Sequence, residues 1–265
     1  MQPALLPPDC AQKEKRDMKI GILGSGHIGR TLARKLAAAG HEVKVANSRG
    51  PDTVDADALS TGAQAVTREE AIIGVEVLIL SIPFIGIPAI APLVADLPAE
   101  TVVIDTSNYI PARDDRIAEI ENGMADSVWV TAQLGRPIAK AWNSIYSVTL
   151  AEKGRPAGDP DRIAAPVAAD RPRDRDVTMA LVEDTGFDGY DAGPIAESWR
   201  QQTGSPSYCT EVTLAELPQA LASADLARSR RRSDLASKVY LERFEAGQNP
   251  AGDFIVQLSR LLYAV

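Results

Sequence analysis

The chain is 265 residues long, 45% hydrophobic and 24% charged, a length that suits about two domains. With 19 Gly and 18 Pro, these proportions lie near globular averages and exclude a disordered, collagenous or disulfide-stapled chain. A net charge of -8 and an aromatic share of 5% leave no electrostatic footprint for nucleic acid.

Residues 1–17 read as a flexible N-terminal tail. Pro3, Pro7 and Pro8 interrupt its only apolar run and no cationic start precedes it, so no signal peptide is expected. From Met18 the sequence alternates short β-rich runs with helical segments, the pattern of parallel strands joined by crossover helices. Met18 to Leu23 is the first strand. Ile28, Leu32, Ala33, Leu36 and Ala37 recur at helical spacing before Gly40, a left-handed stop, which predicts an amphipathic helix over 27–39. His41 to Ala46 is the second strand and Ala63 to Val66 the third. Thr67-Arg-Glu-Glu70 reads as a capping box.

Val77 to Ala95 carries no charge and approaches the length of a membrane span. Pro83, Gly86, Pro88 and Pro92 break it, so it reads as a fourth strand, Val77 to Ile82, then a turn and a short helix with Pro88 in its first turn. Thr101 to Asp105 is strand five, Pro111 to Gly123 a charged loop with a helical turn, Val128 to Leu134 a helix, and Ile138 to Trp142 strand six. Ala151 to Asp161 is an excursion. Ile163 to Ala168 and Phe187 to Asp191, around a helix over Val177 to Thr185, extend the same sheet.

After Trp199 the pattern is helical only. Leu214, Leu217, Leu221 and Ala224 share one face, with Thr213 to Glu216 as a cap, and Phe254, Leu258, Leu261, Leu262 and Val265 share another. Arg228, Arg230, Arg231 and Arg232 read as a solvated helix end. The expected fold is α/β: a Rossmann-type, doubly wound, mostly parallel sheet extended by further strands over residues 18–200, plus a helical C-terminal extension over 201–265.

Gly24-Ser25-Gly26-His27-Ile28-Gly29 matches G-x-G-x-x-G directly after a strand and at the opening of a helix. In that context Gly24 makes the tight turn, Gly26 lets the backbone approach a pyrophosphate, and Gly29 permits close helix-to-strand packing. The helix N-terminus offers N–H groups and partial positive charge to phosphates. An acidic residue about 20 positions past the glycines would select NAD through its ribose hydroxyl. Here stand Asn47, Ser48 and Arg49, a hydroxyl and a guanidinium suited to a 2′-phosphate, so NADP(H) is expected.

Ligands of open α/β sheets lie outside the carboxyl ends of the strands. Three segments therefore border the dinucleotide or shape its turns: Ser81-Ile82-Pro83-Phe84, Asp105-Thr106-Ser107-Asn108 and Trp142-Asn143-Ser144. His27 reads as a packing or phosphate contact more than a proton shuttle, so no catalytic acid or base is assigned. Lys140 and Asn143 evoke the catalytic Lys and Asn of β-hydroxyacid dehydrogenases, but that pair sits on a helix and these residues flank a strand. Two distant cysteines, Cys10 and Cys209, and two histidines, His27 and His41, point to no metal site and suit a reducing cytoplasm.

Gly21 to Gly29, Ala46-Asn-Ser-Arg-Gly-Pro51, Val103-Ile-Asp-Thr106, Lys140-Ala-Trp-Asn143, Asp191-Ala-Gly-Pro194 and Glu197-Ser-Trp-Arg200 together resemble the NADPH-dependent coenzyme F-420 reductase family, over about residues 18–200. The dinucleotide fold is also similar to the cytosolic reductase domains of six-transmembrane metalloreductases. The resemblance implies a small cytoplasmic homodimer that moves hydride between NADP(H) and a deazaflavin, by stacking the two rings with little acid-base machinery. By that analogy Ser48 and Arg49 hold the 2′-phosphate, Ser25, His27 and Ile28 line the pyrophosphate, and Ser81, Pro83, Ala141 and Trp142 approach the nicotinamide.

The 201–265 extension is longer than compact members carry, and Trp142 is bulkier than the side chain expected there. Gln201, Gln202, Tyr208 and the helices beyond are candidates for a different acceptor pocket, for a flavin, an imine or a carbonyl compound. A different class of reading is a non-catalytic NADP(H)-binding sensor or scaffold. Neither nucleic acid nor membrane is an expected partner.

Overall fold

The computed structural model describes residues 17–245 and 253–264; the sequence-predicted tail, apart from Asp17, lies outside them, as do Cys10 and Val265. Eight strands form one sheet: β1 (Lys19–Leu23), β2 (Glu42–Ala46), β3 (Gln64–Ala65), β4 (Val77–Leu80), β5 (Val102–Asp105), β6 (Ala139–Lys140), β7 (Ala164–Ala169) and β8 (Asp188–Asp191). Their spatial order is β3-β2-β1-β4-β5-β6-β7-β8. Every pair is parallel except β6 with β7. The order reverses between β1 and β4, which opens a crevice at their carboxyl ends.

The central strands are buried on both faces, and their alternating side chains divide into two cores. Ile20, Ile22, Val77, Ile79, Val102 and Ile104 point to one face. There they meet Leu32 and Leu36 of α1 (His27–Ala38) and, farther along the sheet, Leu181 of the helix Pro172–Asp184. Leu78, Leu80 and Val103 point to the other, against α2 (Ile87–Ala95) and α3 (Asp126–Leu134); Phe84 stacks on Trp129 there with ring centroids 4.8 Å apart. The helix Pro172–Asp184 is α4, and α5 (Leu226–Glu245) and α6 (Phe254–Tyr263) follow it. Among the described residues no helix is long and apolar enough to cross a membrane, and the uncharged run from Val77 folds as β4, a 3-10 turn at Phe84–Gly86 and α2.

Several expectations are corrected. β4 ends at Leu80, two residues short of the expected Ile82. β6 spans two residues and stops before Trp142, whose left-handed backbone with φ 57° does not continue a strand. The region after Trp199 is not helical throughout: a 3-10 segment, Ile195–Gln201, leads into irregular chain up to the short helix Leu217–Ala222. That chain returns to the sheet through the Ile163 and Thr213 bridge. Leu214 therefore lies outside the helix and is exposed, whereas Leu217 and Leu221 are buried. On α6, Leu261 is 80% exposed, and Val256, Ser259 and Tyr263 face inward. The arginine run is only partly solvated: Arg230 donates to the carbonyls of Ile120 and Glu121, and Arg232 to that of Tyr263.

Candidate functional site

At the crevice the glycines divide their work. Gly24 has φ +108°, and a Cβ there would sit 2.0 Å from the carbonyl oxygen of Ser81. A Cβ on Gly29 would sit 1.9 Å from the carbonyl oxygen of Gly24. These two residues bring β1, β4 and α1 into contact. Gly26 differs, since a Cβ there would meet nothing within 4 Å, and it stands at the N-cap of α1 with no side-chain cap. The open space at the unsatisfied end of a helix fits a phosphate group.

Gly26→Ala and Gly29→Ala should therefore separate binding from folding. Gly29→Ala forces backbone apart and is expected to cost about 1–3 kcal/mol of stability. Gly26→Ala should change stability by less than about 0.5 kcal/mol while weakening dinucleotide binding. Urea unfolding and cofactor titration of both variants check this, and equal stability losses would contradict it.

The β2 end is tied to this loop. Asn47 Nδ2 donates to Ser25 Oγ at 3.0 Å and to Thr53 Oγ1 at 3.0 Å, and Asn47 Oδ1 accepts the Arg49 N–H at 2.8 Å. This Asx turn leaves Ser48 and Arg49 exposed. Among the described residues Arg49 enters no ion pair, whereas Arg30 of α1 pairs with Asp55 at 3.1 Å. His27 is exposed at the first turn of α1, with Nδ1 3.4 Å from Arg30. His41 is buried away from it, accepting the Met18 N–H at Nδ1 and meeting Asp184 at 2.9 Å through Nε2. Among the described residues no group of His, Cys, Asp or Glu is arranged to hold a metal.

Beyond β4, Ser81 and Ile82 are half-buried and Pro83 is exposed. The segment after β6 departs from its expected role. Ala141 and Trp142 are fully buried, and the Trp142 indole N–H donates to Thr185 Oγ1 at 3.1 Å inside the core. The Trp142 ring is thus a core side chain, and neither it nor Ala141 presents a surface to a ligand, which corrects the expectation that they approach the nicotinamide.

Asn143 is held in a buried amide network that the sequence did not signal. Its Nδ2 donates to Asn108 Oδ1 at 3.0 Å and to the Gln201 carbonyl at 2.9 Å, while Gln201 Nε2 donates to Asn143 Oδ1 at 2.9 Å. Asn108 returns a bond to the Asn143 carbonyl at 2.9 Å. Beneath it lies an ion pair: Lys140 Nζ is 2.6 Å from Asp105 Oδ2 and also donates to the Ser107 carbonyl. Both side chains are fully buried. The Lys and Asn therefore fix the loops that follow β5 and β6 and are not poised as an acid-base pair.

Asp126, at the start of α3, is a further buried acid. Its carboxylate accepts the Tyr109 N–H at 3.1 Å and a Gln202 amide N–H, and its own N–H donates to Gln202 Oε1 at 3.3 Å. Burial pushes its carboxyl up to about 6, against the opposing pull of Lys140. An acid whose folded value is raised binds its proton more readily when folded, so its contribution to stability grows as pH falls below about 6. Relative to Asp126→Asn, the natural chain should gain stability on acidification through that range, by at most about 1.4 kcal/mol per pH unit. A difference that stays flat in urea unfolding would contradict the assignment.

Comparison with known proteins agrees with this geometry. The family described as "NADP oxidoreductase coenzyme F420-dependent" matches residues 19–109. The Escherichia coli K12 protein YjhV is 39% identical over 105 residues, covering 40% of this chain and 74% of that protein. The SMa0349 protein of Sinorhizobium meliloti superposes with a TM-score of 0.62 at 27% identity, over 74% of this chain and 95% of that one. A structure from Arthrobacter sp. FB24, described as an F420-dependent NADP-reductase, shares the fold with a TM-score of 0.53 at 22% identity, over 68% of this chain and 87% of its own. Sequence, crevice and relatives converge, and the chain belongs to the family of coenzyme F-420-dependent NADP oxidoreductases.

Proposed function

We propose that the protein moves hydride between NADP(H) and a small-molecule acceptor, with coenzyme F-420 as the acceptor that the family description names and a flavin, imine or carbonyl compound as the alternative. The observation that carries the dinucleotide half is the open space at Gly26, beside a β2 end that lacks a carboxylate and exposes Ser48 and Arg49. In this reading Gly24 to Gly29 cradle the pyrophosphate, with Ser25, His27 and Ile28 beside it, and Asn47 positions Ser48 and Arg49 for the 2′-phosphate. Ser81, Ile82 and Pro83 border the nicotinamide, and the buried Ala141 to Asn143 segment supports the loops behind them. Bound NADPH supplies a hydride, and the chain's own contribution is orientation and exclusion of water.

The test is purified protein with NADPH and oxidised coenzyme F-420. Bleaching of the deazaflavin's visible band at the rate of NADPH loss is the expected result. Tight NADPH binding without turnover of the deazaflavin, or of a panel of flavins, imines and carbonyl compounds, would overturn the catalytic reading and favour a sensor.

A further inference from the structure

The chain after residue 201 packs over the segments that follow β5 and β6, and a cavity of about 490 Å³, open to solvent on one side, lies between them and helices α5 and α6. This is the size of small-molecule sites, which bury their ligand in a mostly apolar wall with a few placed polar groups. Ile110 and Arg113 enter it from the β5 side and Tyr146 from the β6 side, while Tyr208, Tyr240 and Tyr263 come from the C-terminal part of the chain. Arg113 links the cavity to the candidate nicotinamide loops, since its guanidinium donates to the Asn108 carbonyl at 2.7 Å and Asn108 is bonded to Asn143.

The wall constrains the charge of an occupant. Among the described residues that line it, Arg113 is the one with a formal charge. Its guanidinium is held by the buried carboxylate of Asp114, at 2.9 Å through Nε and 2.7 Å through Nη2. An anion in the cavity would meet a cation already paired, and a cation would meet no carboxylate, so neither gains a free counter-charge for the water it gives up. The wall also constrains shape and polarity. The Tyr208 and Tyr263 rings lie 6.5 Å apart at 54°, and Leu241, Ile255 and Leu258 add aliphatic surface. Burial pushes the hydroxyls of Tyr146, Tyr208 and Tyr263 up from the ordinary tyrosine value, so they stay protonated and can donate to oxygen acceptors.

We propose that this cavity binds an uncharged, planar ring compound bearing carbonyl oxygens, of the quinone class, with the ring against the tyrosine and aliphatic walls and the phenol hydroxyls donating to its carbonyls. In naming this compound as the acceptor the proposal rests on the oxidoreductase reading in its carbonyl-compound alternative, the quinone taking a hydride from NADPH and a proton from water to become the hydroquinone while NADP+ is released; the binding itself is measurable without NADPH.

Equilibrium dialysis of the full chain against menadione, and separately against a naphthoquinone sulfonate of similar ring size, tests it. Menadione should bind saturably at one site per chain, and the sulfonate at least about tenfold more weakly. Ala236→Trp, or the milder Ser237→Leu, should fill the cavity and abolish menadione binding, while Tyr263→Phe weakens it by up to about tenfold. NADPH affinity, followed by fluorescence, should be unchanged in all three. Absence of menadione binding, equal binding of the sulfonate, or full affinity in both filled variants would overturn the proposal. Menadione that binds as described but does not oxidise NADPH supports the site and contradicts its role as the acceptor site.

Discussion

Lys140→Met is expected to lower the unfolding free energy by about 3–5 kcal/mol, the cost of leaving a buried charge without its partner. Lys140 and Asp105 are cross-strand neighbours in the parallel β5 and β6 ladder, and both side chains are fully buried. Without the ammonium, Asp105 keeps the Ser107 N–H at 3.0 Å but no counter-charge. The Ser107 carbonyl, which also accepts from Lys140, loses that partner. Adding Asp105→Asn to Lys140→Met should recover part of the loss, since the double variant buries no charge, and the coupling in a double-mutant cycle measures the pair. A single-variant loss below about 1 kcal/mol, the range of an exposed pair, would show that the two charges are not desolvated as described. The pair also underpins Thr106 to Asn108, so the surviving variant should bind dinucleotide more weakly.

Arg49→Ala should weaken NADPH binding by on the order of 2 kcal/mol, about thirtyfold, through loss of charged hydrogen bonds to a phosphate, and should leave NADH binding nearly unchanged. Arg49 lies exposed on a turn braced by Asn47, so its removal costs the fold little. Asn47→Ala is the companion variant: it breaks the tie to Ser25 and should lower affinity for both cofactors, because the loop and not the phosphate contact is disturbed. Parallel titrations of both variants check the distinction. Equal losses for the two cofactors in Arg49→Ala would remove the 2′-phosphate assignment.

β1, β4 and β5 were legible as apolar runs and β2 as an alternation of Val43 and Val45 with charged Glu42 and Lys44, and the glycine loop because it joins a strand to an amphipathic helix. The capping box at Thr67 forms as its spacing predicts, with Thr67 and Glu70 bonding reciprocally. Trp142 misled for a physical reason: an aromatic residue at a strand end is as well suited to a core as to a cofactor ring, and only its left-handed backbone turns it inward. Asp105 and Lys140 are separated by 34 intervening positions and carry no local signal; their pairing follows only from the register of β5 with β6. The amide network of Asn108, Asn143 and Gln201 is equally a product of topology. In the C-terminal part helical spacing overcounted the buried face, since Leu214 precedes its helix and Leu261 turns outward.

Equilibrium binding of NADPH and NADH to the unaltered protein, at one ionic strength, bears most directly on the central claim. Since Ser48 and Arg49 stand where a carboxylate would select the ribose hydroxyl, NADPH should bind at least about tenfold more tightly, with the preference shrinking as salt screens the exposed guanidinium. Equal affinities, or a preference for NADH, would contradict it.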